Sequence, residues 1–191
     1  MYFDLKQLSL ASSVPPTVAH VYATAVPVLS PNEVTFAVDR LAVRLTVDLQ
    51  DRHPVLVSLL PDGLFLTGML MRRLVFPMQM IQITSLRARR WVQPETSARK
   101  SGDSQLMPAL GGRFVVLIVG SMGDPQLGEI VDALEHENPK CLRIVSMFSG
   151  AAHTREADET ALSCHWQGHI GSGLGFEGHG ANLPGVYRYK A

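Results

Sequence analysis

The chain is short of the features that mark specialised protein classes. Its 191 residues include only two cysteines, Cys141 and Cys164, which lie in different segments. A disulfide framework is therefore not expected, and a reducing cytoplasm fits. Lys plus Arg and Asp plus Glu both number 17, so the formal net charge is +0. That total gives no pull toward nucleic acid or an anionic membrane. No apolar run approaches the ~18 residues of a membrane span. Asp4 and Lys6 interrupt the first apolar positions, so no secretory signal is expected. There is no internal repeat. Asp48 and Asp51, and Glu135 and Glu137, fall on helix ends, and none looks paired for acid–base work.

What remains is a chain that is 46% hydrophobic, enough for the core of one domain. Residues 1–29 read as an N-terminal arm or short hood element, since Pro15-Pro16 breaks any helix across Leu8 to Val14. A domain over 30–191 follows. It opens on Ser30-Pro31-Asn32-Glu33, a capping box with proline at the first helical position. Val34, Val38, Leu41 and Leu45 then recur at helical spacing, predicting a helix over 31–50. The apolar run 55–60 suits a strand buried on both faces of a parallel sheet. Pro61-Asp62-Gly63 turns the chain, 64–74 can form a helix, and 78–84 a strand.

The stretch Ser85 to Gly112 is long and irregular, and it carries Arg87, Arg89, Arg90, Arg99 and Lys100 around Trp91. Loops this long inside a compact domain are usually functional lids or disordered. Its arginines could hold a phosphate or an acidic partner, and the plain alternative is a solvated charge run. A strand over 113–119, a loop and a helix over 126–136 come next, then a strand over 141–148. Residues 150–160 read as a loop. The tail from Leu162 is rich in glycine, which predicts irregular structure with one short strand. The alternation of helices and strands predicts an α/β fold, a Rossmann-like, mainly parallel sheet flanked by helices.

The loop Gly120-Ser121-Met122-Gly123-Asp124, closing at Gln126, is the natural site. It lies between a strand and a helix, where open α/β sheets bind ligands. Its flanks do not form a nucleophile elbow around Ser121. Cys164, His165, His169 and His179 invite a metal reading, but the glycine content argues against the helix that would give His165 and His169 a shared face. Solvated histidines in a glycine-rich tail are the simpler reading, and no metal is expected. Leu64, Phe65, Met69, Leu70 and Met71 give an apolar helix surface, suited to the core or to a homodimer face.

Three blocks together resemble the bacterial hypoxanthine-guanine phosphoribosyltransferases, of the type I phosphoribosyltransferase fold. The first runs from Arg52-His53-Pro54 through Pro61-Asp62-Gly63 to Pro77-Met78-Gln79. The second joins Gly112 to Val119 with Ile130-Val131-Asp132-Ala133. The third is Asn182-Leu183-Pro184-Gly185-Val186-Tyr187. The resemblance runs from near Ser30 to Ala191. It implies a sheet with a small hood from the termini, a homodimer, and a site for phosphoribosyl pyrophosphate, Mg2+ and a purine.

The residues expected to do that chemistry are absent. The family's acidic pair, which holds the ribose hydroxyls, falls on Gly120 and Ser121. The loop is about two residues short, Asp124 is its one acid, and Pro125 lacks an N–H donor. In the pyrophosphate loop, Pro61-Asp62-Gly63, Asp62 stands where a small or basic residue is expected. The metal ligand falls on Gly175 and the terminal arginine on Ala181. The base-reading lysine falls on Ser149-Gly150, and the stacking aromatic falls near Gly168, with Trp166 close by.

The resemblance therefore implies a degenerate homologue: a non-catalytic binding or regulatory protein, with no cofactor. Its partners would be a second copy, an active paralogue or another protein, and its ligand a purine or nucleotide. The rival expectation is an active purine-salvage phosphoribosyltransferase with a rearranged site. It would use Mg2+, with Asp124 on the ribose, Arg87 or Arg89 on pyrophosphate and Trp166 on the base.

Overall fold

The computed structural model describes residues 4–9, 13–84, 109–150 and 156–190. Arg87 and Arg89 lie outside the described residues, as does most of the long stretch 85–112. The main sheet has five parallel strands in the order β3-β2-β4-β5-β6. They are β2 (Val55–Leu60), β3 (Gln79–Thr84), β4 (Phe114–Val119), β5 (Cys141–Ser149) and β6 (Glu159–His165). Helices α3 (Pro31–Leu49) and α4 (Leu64–Met71) cover one face, and α5 (Leu127–His136) covers the other.

Strand periodicity builds these two cores. Leu56, Val116 and Ile118 point to the α3–α4 side, while Val55, Val57, Leu59, Val115, Leu117 and Val119 point to the α5 side. The continuous apolar runs of β2 and β4 follow from burial on both faces. Ser58 is the polar exception, and it accepts a buried hydrogen bond from Thr67 Oγ1 of α4 at 2.8 Å.

The capping box forms as its spacing predicts. Ser30 Oγ accepts from the Glu33 amide at 3.3 Å, and Glu33 accepts from the Ser30 amide at 2.8 Å. Ser30→Ala is expected to lower stability by about 1 kcal/mol, measured by urea unfolding. A change below about 0.3 kcal/mol would show that the cap is replaced by solvent.

Two expectations need correction. The helix after β2 ends at Met71 rather than Leu74. Also, Glu159–His165 is a full strand on the sheet, where the sequence suggested loop and tail. The reason is its place at the sheet edge. Only Leu162 is buried, so the strand lacks the apolar run that marks its neighbours. Asp158 anchors its start by accepting from the Ile144 amide at 2.7 Å, and Arg44 of α3 donates to Glu159 at 2.8 Å.

The termini build the hood. Helices α1 (Lys6–Ser9) and α2 (Pro16–Thr24) precede β1 (Val26–Leu29). Pro16 opens α2, where a missing N–H costs nothing. Strands β7 (His169–Ile170) and β8 (Val186–Arg188) join β1 in an antiparallel sheet of order β1-β8-β7. Val18, Val21 and Tyr22 pack with Ile170, Leu183 and Tyr187 in a core of their own. Among the described residues no helix is long and apolar enough to cross a membrane.

Candidate functional site

The strand order fixes where a ligand crevice belongs. The chain steps from β2 outward to β3, then returns to the other side of β2 as β4. The loops leaving β2 and β4 therefore diverge, and the crevice opens between their carboxyl ends. Pro61-Asp62-Gly63 follows β2, and Gly120 to Gln126 follows β4, so the fold brings the two predicted loops together.

They meet through Asp62. Its Oδ2 accepts from the Gly120 amide at 2.9 Å and the Ser121 amide at 2.8 Å. The two glycines make this approach possible. A Cβ on Gly120 would lie 2.4 Å from the Asp62 carbonyl oxygen and 2.6 Å from Asp62 Oδ1. A Cβ on Gly63 would lie 2.4 Å from the Ile118 carbonyl oxygen. The crevice is thus closed at its base by a carboxylate of the protein itself, tied to backbone donors.

The rest of the loop is also turned inward. Asp124 Oδ1 accepts from the Gln126 amide at 2.8 Å, bracing the turn that precedes α5. Ser121 is buried, and the Met122 side chain belongs to the α5-side core. The amides of Met122 and Gly123 donate to no group among the described residues, while Met122 and Gly123 form a turn that brings the Asp124 amide toward the Ser121 carbonyl.

Trp166 covers the loop from the β6 side. A Cβ on Gly123 would sit 2.2 Å from Trp166 Cζ2, and one on Gly150 would sit 2.8 Å from Cδ1. The indole therefore rests on the bare backbone of both glycines. Neighbour identity in the sequence does not reveal this contact, because residues 123, 150 and 166 lie on three different loops. From the hood, Gly173 reaches within contact range of Phe65, a Cβ there lying 3.0 Å from Phe65 Cβ. Gly175 is exposed on the hood, and Ala181 is half-buried. His165 ends β6 and His169 opens β7, so they share no helix. No group of His, Cys, Asp or Glu suited to a metal ion occurs among the described residues.

Burial pushes the Asp62 carboxyl above its ordinary value of 3.8. The Ser121 and Gly120 amides pull it down, and the nearby Asp124 charge adds to the rise. A raised folded value makes the contribution to stability complete below 3.8 and lost as pH climbs through the folded value. The cost of Asp62→Asn should therefore shrink as pH rises from acid toward neutral. Urea unfolding of both proteins across that range measures it, and a cost that grows with pH would contradict the assignment. Asp48 has the opposite sign, because its hydrogen bond from Arg143 holds it below the ordinary value. Comparing wild type with Asp62→Asn cancels that background.

No family model matches the chain, and no curated protein does. Solved structures do. A hypoxanthine phosphoribosyltransferase from Staphylococcus aureus is similar with a TM-score of 0.72 and 16% identity, over 94% of this chain and 97% of that one. A hypoxanthine-guanine phosphoribosyltransferase from Bacillus anthracis is similar with a TM-score of 0.70 and 15% identity, over 88% and 98%. A Trypanosoma cruzi hypoxanthine phosphoribosyltransferase complexed with the product IMP gives 0.68 and 17%, over 86% and 90%. The chain thus has the type I phosphoribosyltransferase fold along most of its length, as the sequence resemblance implied.

Proposed function

We propose that this chain is a non-catalytic binding or regulatory protein built on the phosphoribosyltransferase fold. The observation that carries this reading is the Asp62 carboxylate held by the Gly120 and Ser121 amides. Phosphoribosyl pyrophosphate would bring several negative charges into that crevice. A fixed carboxylate at its base repels them, and the donors beside it are already engaged. Trp166 against Gly123 and Gly150 takes up space above the loop. With an acid at 62 and none at 120 or 121, the crevice lacks both a pyrophosphate cradle and a ribose clamp.

A second reading draws on one specific observation, the uncommitted amides of Met122 and Gly123. Such donors can hold a phosphate, as an active enzyme with a rearranged site would require. Calorimetric titration with phosphoribosyl pyrophosphate and Mg2+ separates the two. The leading reading expects no heat of binding at millimolar ligand. Saturable binding that Asp124→Ala weakens would favour the active enzyme.

The partner side of the proposal is a homodimer, or pairing with an active paralogue. Phe36, Val43 and Val47 lie exposed along α3, and Leu64 and Met71 lie exposed on α4. An apolar stripe of this kind supports an interaction face. Light scattering should give the mass of a dimer, and a monomer at micromolar concentration would remove the self-pairing form of the proposal.

A further inference from the structure

A second concave site lies at the opposite end of the sheet, beside the amino ends of β2, β4 and β5. Asp51 and Arg52 follow α3, Gly112 and Arg113 lead into β4, and Lys140 leads into β5. With Phe114 they line a cavity of about 610 Å³.

The Phe114 ring organises the charges. The Arg52 guanidinium carbon lies 4.6 Å from the ring centroid, and Lys140 Nζ lies 5.2 Å from it. Cation–π attraction holds both side chains near one ring. Arg113 is fixed by neutral acceptors, donating to Gln79 Oε1 at 3.0 Å and to the His53 carbonyl at 2.8 Å. Neither contact neutralises its charge. Arg52, Arg113 and Lys140 make no salt bridge among the described residues. The nearby Asp48 is bound to Arg143 at 2.6 Å. Asp51 is the one acid in the lining, so the cavity carries three positive charges against one negative.

Helix ends account for part of this. The carboxyl ends of α3 and α5 each contribute about half a negative charge, which cations there complement. Together that is about one charge against an excess of two, so the cleft retains uncompensated positive charge.

We propose that this cleft binds a polyphosphate group, held chiefly by Arg52 and Lys140 with support from Arg113. A guanidinium offers paired donors to phosphate oxygens, and an ammonium adds a compact charge. The surplus charge favours a di- or triphosphate over a single phosphate. The source would be inorganic polyphosphate or the phosphate tail of a nucleotide. This site is remote from the Asp62 crevice, so it stands whichever way the reading of that crevice falls.

Calorimetric titration of the full chain at low ionic strength, where screening is weak, tests it. The probes are inorganic triphosphate, ATP and orthophosphate. Triphosphate should bind at least about ten-fold more tightly than orthophosphate, as one added charge-assisted hydrogen bond would give. Lys140→Glu and Arg52→Ala should each weaken it by about ten-fold or more, and Lys140→Arg should retain it. Equal affinity for triphosphate and ATP assigns the phosphate group alone, and tighter ATP assigns a nucleotide. Arg52 and Lys140 are exposed, so neither substitution threatens the core, and circular dichroism verifies that each variant is folded. The proposal is overturned if triphosphate fails to bind at millimolar concentration, or if binding survives both charge substitutions.

Discussion

Asp62→Ala is expected to lower the free energy of unfolding at neutral pH by about 2–4 kcal/mol. The carboxylate is the acceptor for two amides, those of Gly120 and Ser121, and both residues are buried. A buried donor left without an acceptor costs about 1–3 kcal/mol, and alanine offers nothing in return. Relief from burying a charge offsets part of that loss, because burial already pushes the Asp62 carboxyl up. Asp62→Asn keeps an oxygen acceptor of similar shape and should lose less. Urea denaturation of the three proteins gives the ordering wild type, Asn, Ala. A loss below about 0.5 kcal/mol for alanine, well under one unmade buried bond, would mean that the tie contributes little to joining the two loops.

Gly63→Ala should cost about 3 kcal/mol or more. The added methyl would stand 2.4 Å from the Ile118 carbonyl oxygen and 2.9 Å from that of Leu59. Both belong to buried strands at the centre of the sheet, so no flexible side chain can move aside. For a chain of this size the loss corresponds to a melting point lower by about 6–12 °C. Gly68→Ala is the control. A methyl there meets nothing within 4 Å, and Gly68 lies within α4, so helix propensity should raise stability by about 0.5–1 kcal/mol. Thermal unfolding of the pair measures both signs. Equal behaviour of the two variants would refute the close approach of the β2 loop to β4.

Much of the fold could be read from the sequence because burial leaves a periodic signature. Val55 to Leu60, apart from Ser58, and Phe114 to Val119 are apolar on both faces, and Ser30 with Glu33 marks a helix start whose hydrogen bonds are all local. Strand β6 left no such mark, since an edge strand with one buried residue resembles a polar loop. Helix α2 was hidden by Pro15-Pro16, which reads as a breaker although Pro16 is the first helical residue.

The site was legible by position but not by contact. Both loops are identifiable as strand-to-helix turns, and Asp62 stands out as an acid in the wrong place for pyrophosphate. Its partners could not be read, because they are backbone amides 58 and 59 residues away. The same holds for Trp166, whose seat depends on the missing side chains of Gly123 and Gly150. Those glycines suggest loop flexibility when read one at a time, yet their use here is to let an indole lie on the backbone.

The central claim is that the crevice between the β2 and β4 loops is filled by the protein's own groups and does not turn over substrate. Its most direct test is a purine-base assay of the full chain, with hypoxanthine and guanine in turn, phosphoribosyl pyrophosphate and Mg2+. Nucleotide formation should not rise above the uncatalysed background. Turnover at ordinary enzyme rates, about 1–1000 per second, would contradict the account.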